Sequence, residues 1–514
     1  MRTWNPNSIA KYSILSAVVK DSNTGPLCSW TQVLSVSACF EDITNWRCTD
    51  QLCRLCQRAI VAHICTLPDN VLLEIFSLYV DCAAGPYEDA WHTLVHICRR
   101  WRYVVFASPR RLDLQLRCTI KRSAQKMLDV WPALPIAIEF RSGIILHPQV
   151  ANNIIIALNQ CDRIRKIDLC PPIPFSLLNK IRAIKEPLPV LTDLRLVSNF
   201  SLPDSFLGGS APHLRSLHLL CISFPALPKL LLSTTELVTL YISDIPHRPP
   251  PPPETIVTNL STLTKLQKLS IGFHSSDSPA DDAGRVLPPL TRVVLPALTS
   301  LELLSYDECL ENFVSRLDAP LLNNMTVERF KRAFDTRQLR YFISHTEAFK
   351  PLHLHRAEID IAYDFVSLIV FSQGAMADHE LLKFTTPRKR SDWVLFDIFA
   401  QFCISALPPL PTLKRLDVRK SGRHWQYVIS NLPWLEFFRP LTSVTDLALS
   451  DTAAVHVASA LRRLPVEDVT NILPALQNIF LKVSAQSGST QEAIEKFVAT
   501  RQLSDRPVTV VYED

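Results

Sequence analysis

Glycine is the scarcest common residue here, with 10 in 514 positions against 38 prolines. Loops that cradle phosphates or turn around a dinucleotide need glycine, because the backbone must approach the ligand closely. The shortage disfavours both, and the prolines predict many short elements that end abruptly. Charge of one sign is also lacking. The 54 basic and 49 acidic residues leave a net charge of only +5, which argues against a dominant nucleic-acid role. No run has the length and purity of a membrane span. FVSLIVF (365–371) is too short, and LHLLCISFPALPKLLL (217–232) carries His218, Lys229 and two prolines. The opening MRTWNPNSIAKYSIL shows no apolar run followed by a small-residue cleavage site, so no secretory signal is expected. The expected setting is intracellular, cytoplasmic and/or nuclear, with no membrane partner. The sequons at Asn199, Asn259 and Asn324 then read as chance matches.

Catalytic signatures are missing too. There is no Gly-x-Ser-x-Gly elbow, no Gly-x4-Gly-Lys-Ser/Thr loop, no His-Glu-x-x-His and no kinase motif set. The adjacent carboxylates Asp281 and Asp282 sit in a loop-like stretch, where neighbours in sequence rarely converge on one substrate. Fourteen cysteines in a chain without a signal are expected as free, mostly buried thiols. Cys53, Cys56, His63 and Cys65 could be assembled into a zinc site, but His63-x-Cys65 is unusually tight and no second Cys-x-x-Cys exists. His353 and His355 share a face of an alternating stretch, with no further ligand in reach. The prolines at 249–253 read as a stiff loop, and the basic PRKR at 387–390 as a solvated one. No cofactor, no metal and no catalytic role is expected.

What the chain does have is apolar material, 47% of residues, enough for a large core. Residues 1–60 form a cysteine-rich extension without a clear period. From Leu67 to Ser108 the pattern is helical. Pro68 suits the first turn, where its missing N–H costs nothing, and Asp69 suits the positive end of the helix dipole. Leu72, Ile75, Phe76 and Tyr79 make one face, and Val71, Leu73 and Leu78 make another. A second helix carries Trp91, Leu94, Val95, Cys98, Trp101 and Val105 on one stripe and stops at Ser108-Pro109. A short helix that is apolar around most of its circumference must be covered by something. Either a partner chain or the protein's own downstream residues would serve.

From about residue 160 the pattern changes to a recurring frame, apolar-x-x-apolar-x-apolar. It appears at Ile164-Ile167-Leu169, Leu191-Leu194-Leu196, Leu214-Leu217-Leu219, Leu237-Leu240-Ile242, Leu266-Leu269-Ile271, Leu298-Leu301-Leu303 and Leu322-Met325-Val327. It resumes at Leu413-Leu416-Val418, Val444-Leu447-Leu449 and Leu476-Ile479-Leu481. Successive starts are mostly 23 to 32 residues apart. Each frame predicts a short strand with alternating side chains, and units of this size must stack to bury their apolar face. Residues 343–412 hide one or two units that resist framing. QEAIEKFVAT and RPVTVVYE predict a closing helix and strand. The residue between the last two apolar positions of each frame points away from the core. Arg195, His218, Tyr241, Ser270, Glu302, Thr326 and Asp417 therefore form the candidate binding face.

The stretch TLPDNVLLEIFSLYV followed by LVHICRRWRYVVFASP resembles an F-box: Leu-Pro, a Leu/Ile/Phe helix, then Cys-x-x-Trp. The downstream frames resemble the irregular leucine-rich repeats that follow F-boxes in many fungal proteins. The implied fold is an α/β repeat, with a small all-helical F-box (61–110), a connecting region (111–160) and a horseshoe-like leucine-rich solenoid (161–514). The resemblance implies a substrate receptor of a Skp–cullin–F-box ubiquitin ligase. It would bind the Skp adaptor and, through it, a cullin, while the repeats hold an unknown protein substrate. The implied adaptor-facing residues are Leu67, Pro68, Leu72, Ile75, Phe76, Cys98 and Trp101, with Leu94 and Val95 as internal packing. The loop 81–93 is longer than in compact F-boxes, which leaves the register of the second helix open. A Skp-binding scaffold outside any ligase, and an enzyme site assembled from scattered residues, are the alternatives.

Overall fold

All ten frames coincide with β-strands in the computed structural model. It describes residues 66–83, 90–118, 123–140, 148–170, 173–243, 253–272, 292–304, 308–329, 336–350, 354–362, 365–372, 378–387, 394–407, 413–420, 434–482 and 488–513. The strands are β1 (Leu116–Cys118), β2 (Ile136–Phe140), β3 (Ile164–Leu169), β4 (Asp193–Ser201), β5 (Ser216–Ser223) and β6 (Thr239–Ser243). They continue with β7 (Lys268–Gly272), β8 (Val293–Val294), β9 (Ser300–Leu304), β10 (Leu317–Asp318), β11 (Asn324–Glu328) and β12 (Leu354–Ile361). The last six are β13 (Phe365–Ser372), β14 (His379–Pro387), β15 (Arg415–Lys420), β16 (Asp446–Leu449), β17 (Asn478–Lys482) and β18 (Thr509–Glu513). Sixteen of them form one sheet, in the order β1-β2-β3-β4-β5-β6-β7-β9-β11-β14-β13-β12-β15-β16-β17-β18.

The frame explains the register. Leu194, Leu217, Leu240, Leu269, Leu301 and Met325 are lateral neighbours across six strands. Leu196, Leu219, Ile242, Ile271, Leu303 and Val327 form the next row, and both rows are buried. Each such side chain contributes about 1.5–3 kcal/mol by leaving water. A one-residue slip would turn a whole row to the other face, so the leucines lock the pairing. The leading leucine of a frame has a second role. Leu191, Leu214, Leu237, Leu266, Leu298, Leu322 and Leu476 each donate their N–H to the carbonyl three residues back, closing a turn just before the strand.

Parallel strands need crossovers, and helices supply most of them. Those at Pro148–Leu158, Phe175–Arg182, Leu227–Ser233, Pro253–Leu260, Glu308–Ser315, Arg337–His345, Val394–Ala406, Trp434–Phe438, Asp451–Arg462 and Gly488–Leu503 follow the strands in turn. Successive helices pack side by side along most of this series. The result is a mixed α/β protein with a large, parallel-dominated sheet. Among the described residues, no helix is long and apolar enough to cross a membrane.

Two stretches depart from the expected layout. Residues 111–160, expected as a connection, contribute β1 and β2, whose short strands lack the leucine frame. Residues 343–412 hold an antiparallel meander. From β11 the chain passes to β12, three places along the sheet, then doubles back through β13 to β14, which lands beside β11. The helix Val394–Ala406 then leads to β15, which pairs with β12. The core rows run through the reversal as Leu382, Val370, Ala357 and Leu416, and as Phe384, Leu368, Ile359 and Val418.

Gly272, at the end of β7, faces Leu304 of β9. A Cβ at this position would stand 2.6 Å from both the Cβ and the carbonyl oxygen of Leu304, a neighbour whose backbone cannot swing aside. Gly272→Ala should therefore cost about 1–3 kcal/mol through forced separation of the strands. A lower urea midpoint with an unchanged slope is the expected reading.

Ahead of the sheet stand three helices, α1 (Asp69–Ala83), α2 (Ala90–Val95) and α3 (Arg99–Ala107). The single second helix expected from the sequence is two. Cys98 adopts an extended backbone (φ −155°, ψ 170°), and its Sγ accepts the N–H of Trp101, capping α3. The Phe76 and Trp101 rings pack with centroids 4.7 Å apart, joining α1 to α3. The Trp91 indole donates to the Gln115 carbonyl, tying α2 to the approach to β1.

Candidate functional site

The candidate binding residues lie on one lateral row of the sheet. Asp168, Arg195, His218, Tyr241, Ser270, Glu302 and Thr326 are successive partners, and the row continues through Lys383, Ile369 and Glu358 to Asp417. Strands are about 4.8 Å apart, so Arg195 to Thr326 span roughly 24 Å. Arg195 Nε lies 3.9 Å from Oδ1 of the buried Asp168, which anchors the guanidinium stem. The His218 and Tyr241 rings pack at 3.9 Å between centroids and present a half-exposed aromatic platform. Ser270 is buried, while Glu302 and Thr326 are half-buried.

Asp417 lies on that row but is closed to a ligand. It is only 2% exposed, and its carboxylate accepts from Arg356 Nε (2.5 Å) and Arg415 Nε (2.9 Å). Arg356 also reaches Asp378 (2.9 Å) and Glu358 (3.3 Å), and Arg419 reaches Glu358 (3.1 Å). Asp417 is thus consumed by a network that holds β12 and β15 together. Arg356, Glu358 and Lys383 escaped the sequence reading because the meander conceals their frames. Burial pushes the Glu358 carboxyl up against the opposing pull of Arg419 and Arg356. His355 is engaged as well, with Nε2 3.7 Å from Asp378.

Glu328, at the end of β11, is also pushed above its ordinary value of 4.5, first by burial and then by Glu302. A raised carboxyl favours the protonated form in the folded protein. Its charge therefore opposes folding increasingly as pH rises from the ordinary glutamate range through the folded value, and not below that range. Glu328→Gln should raise the melting temperature at pH 8, with the gain vanishing near pH 4.

In the helical head, the structure divides the seven expected adaptor-facing residues. Leu72 and Phe76 are fully buried and Trp101 is 5% exposed, so these three form the inner seam between α1 and α3 and cannot meet a partner. Leu67 and Cys98 are half-buried against the core. Pro68 and Ile75 lie at the surface, Ile75 at 38% exposure. Leu94 and Val95 are internal packing, as expected. At 100° per residue, Pro68, Val71, Ile75 and Leu78 share the outer side of α1, with Val71 and Leu78 half-exposed. Ile97 and Tyr103 are also exposed, Tyr103 at 71%. Arg100 fixes the N-terminus of α1, donating to Leu67 O (2.5 Å) and Asp69 Oδ1 (2.7 Å). The missed residues, Val71 and Leu78, belonged to the second apolar face. Sequence alone does not say which of two apolar faces turns inward.

The seven described cysteines are free thiols, and among the described residues no group of three or more His, Cys, Asp or Glu side chains is placed to hold a metal ion. Cys53, Cys56, His63, Cys65, Asp281, Asp282, His353 and most of the proline and PRKR runs lie outside the described residues. Compared with protein-family models and with curated proteins, the chain finds no match.

Proposed function

We propose that this chain is the substrate-recognition subunit of a Skp–cullin–F-box ubiquitin ligase, binding the Skp adaptor through its helical head and a protein target through the polar row of the sheet. The observation that carries the reading is the outer stripe of α1, Pro68, Val71, Ile75 and Leu78. It stays partly open to solvent although the adjoining face of the same helix, Leu72 and Phe76, is sealed. A helix that buries one apolar face and leaves a second one open is built for two neighbours, and the described residues supply only one. Three short helices opening on Leu-Pro, followed by strands of a leucine frame, support the same reading. The target face would be Arg195, His218, Tyr241, Glu302 and Thr326, without Asp417.

The role is positional. Holding a target near a ubiquitin-charged enzyme raises the effective concentration of its lysines, and no catalytic group is needed here. Affinity purification of the full chain from its native cell should bring down both a Skp protein and a cullin. Skp without cullin would favour a scaffold outside the ligase, and neither would overturn the assignment.

A further inference from the structure

We infer that a pocket under the meander binds one apolar carboxylic acid, its tail between the sheet and the helices and its carboxylate at Arg340. The pocket has a volume of about 300 Å³, the lower end of the range for small-molecule sites. It opens where the parallel order reverses, because the helices Arg337–His345, Val394–Ala406 and Trp434–Phe438 serve strands that are out of chain order. Crevices at such topological switch points are common ligand sites.

One small residue stands where its row otherwise carries larger side chains. The core row Met325, Leu382, Val370, Ala357, Leu416, Leu447 and Ile479 has a single small member, Ala357, and it lines the pocket beside Leu368 and Leu416. The remaining wall is apolar apart from Thr442, and includes Phe437 and Leu413. Cys403 is part of it. Burial pushes this thiol well up, so it stays protonated and acts as wall, not nucleophile.

The charged element is Arg340. Its side chain is exposed on the helix Arg337–His345, lines the pocket, and meets no carboxylate among the described residues. A guanidinium beside an apolar slot recognises a planar carboxylate on an apolar tail, through charge and a two-pronged hydrogen bond. A neutral tail gains only the slot.

Calorimetric titration of the full chain with decanoate and with decanol tests this. Decanoate should saturate one site and bind about tenfold more tightly than decanol. Arg340→Gln should erase that difference. Ala357→Leu, which restores the side chain found in neighbouring strands, should weaken both ligands at least tenfold without lowering the melting temperature. Leu407→Trp, at the half-buried rim, gives the same reading should the Ala357 variant fail to fold. Absence of saturable binding, equal affinity for the alcohol, or undiminished binding by the filled variants would overturn the proposal.

Discussion

Arg501→Met should lower the folding stability by about 3–5 kcal/mol, although methionine nearly matches the arginine stem in apolar bulk. Arg501 is wholly buried on the helix Gly488–Leu503. Its two terminal nitrogens donate to the carbonyls of Val469 (3.2 Å), Ile472 (3.4 Å), Leu473 (3.3 Å), Pro474 (3.4 Å) and Leu476 (3.3 Å). No carboxylate pairs with it among the described residues, so the backbone dipoles, with the face of the Phe497 ring 5.9 Å away, offset the charge. Burial, followed by repulsion from Arg506, lowers its ordinary value, and a guanidinium in a protein stays charged. These carbonyls converge because the turn leading into β17 bends through Leu473, which adopts a left-handed backbone (φ 48°) unusual for leucine. Without the guanidinium, several buried acceptors lose their donors, each at about 1–3 kcal/mol before water or relaxation repairs some of them. Lysine keeps the charge but lacks the planar fork, so Arg501→Lys should recover only part of the loss. Urea denaturation followed by circular dichroism measures both. A methionine variant within 1 kcal/mol of the parent would show that the turn holds itself.

The second large effect separates folding from binding at adjacent positions. Val71→Glu combined with Ile75→Glu places two charges on the outer side of α1 and should reduce Skp capture at least a hundredfold, roughly 3 kcal/mol. Both residues point away from the Phe76–Trp101 seam, so the melting temperature should hold. Phe76→Ala should do the reverse. It removes a fully buried ring and costs about 3–5 kcal/mol of stability, while any molecule that stays folded keeps the proposed docking stripe. Quantitative pull-down beside thermal melting distinguishes the two. Full Skp capture by the double glutamate variant would place the docking surface elsewhere, and with it the proposed function.

The sheet was legible where leucine spacing was regular. Each frame from Ile164 to Val327 predicted its strand, and the outward middle positions from Arg195 to Thr326 are lateral neighbours as that pattern requires. Legibility ended at the meander for a local reason. The β12 frame is Leu354-Ala357-Ile359, with a small residue at its centre, and the β14 frame begins on the polar His379. Asp417 looked like its counterparts because sequence does not reveal lateral partners. Only the arrival of β12 beside β15 puts Arg356 against it. The head failed differently. Apolar residues around most of α1 announce burial but not direction, and the choice is made by Trp101, 25 residues beyond Phe76.

The meander also sets an order on synthesis. When β11 emerges, its free edge has no partner among the residues already made. Its neighbour β14 lies more than fifty residues ahead, as the Asn324 side-chain bond to the Glu380 carbonyl shows, with a separation of 56. Until then a nascent chain carries an unpaired strand rim, the kind of template on which unrelated polypeptides stick. Vulnerability to aggregation is thereby raised in the interval of translation between the completion of β11 and the arrival of His379–Pro387, and again while β12 waits for β15.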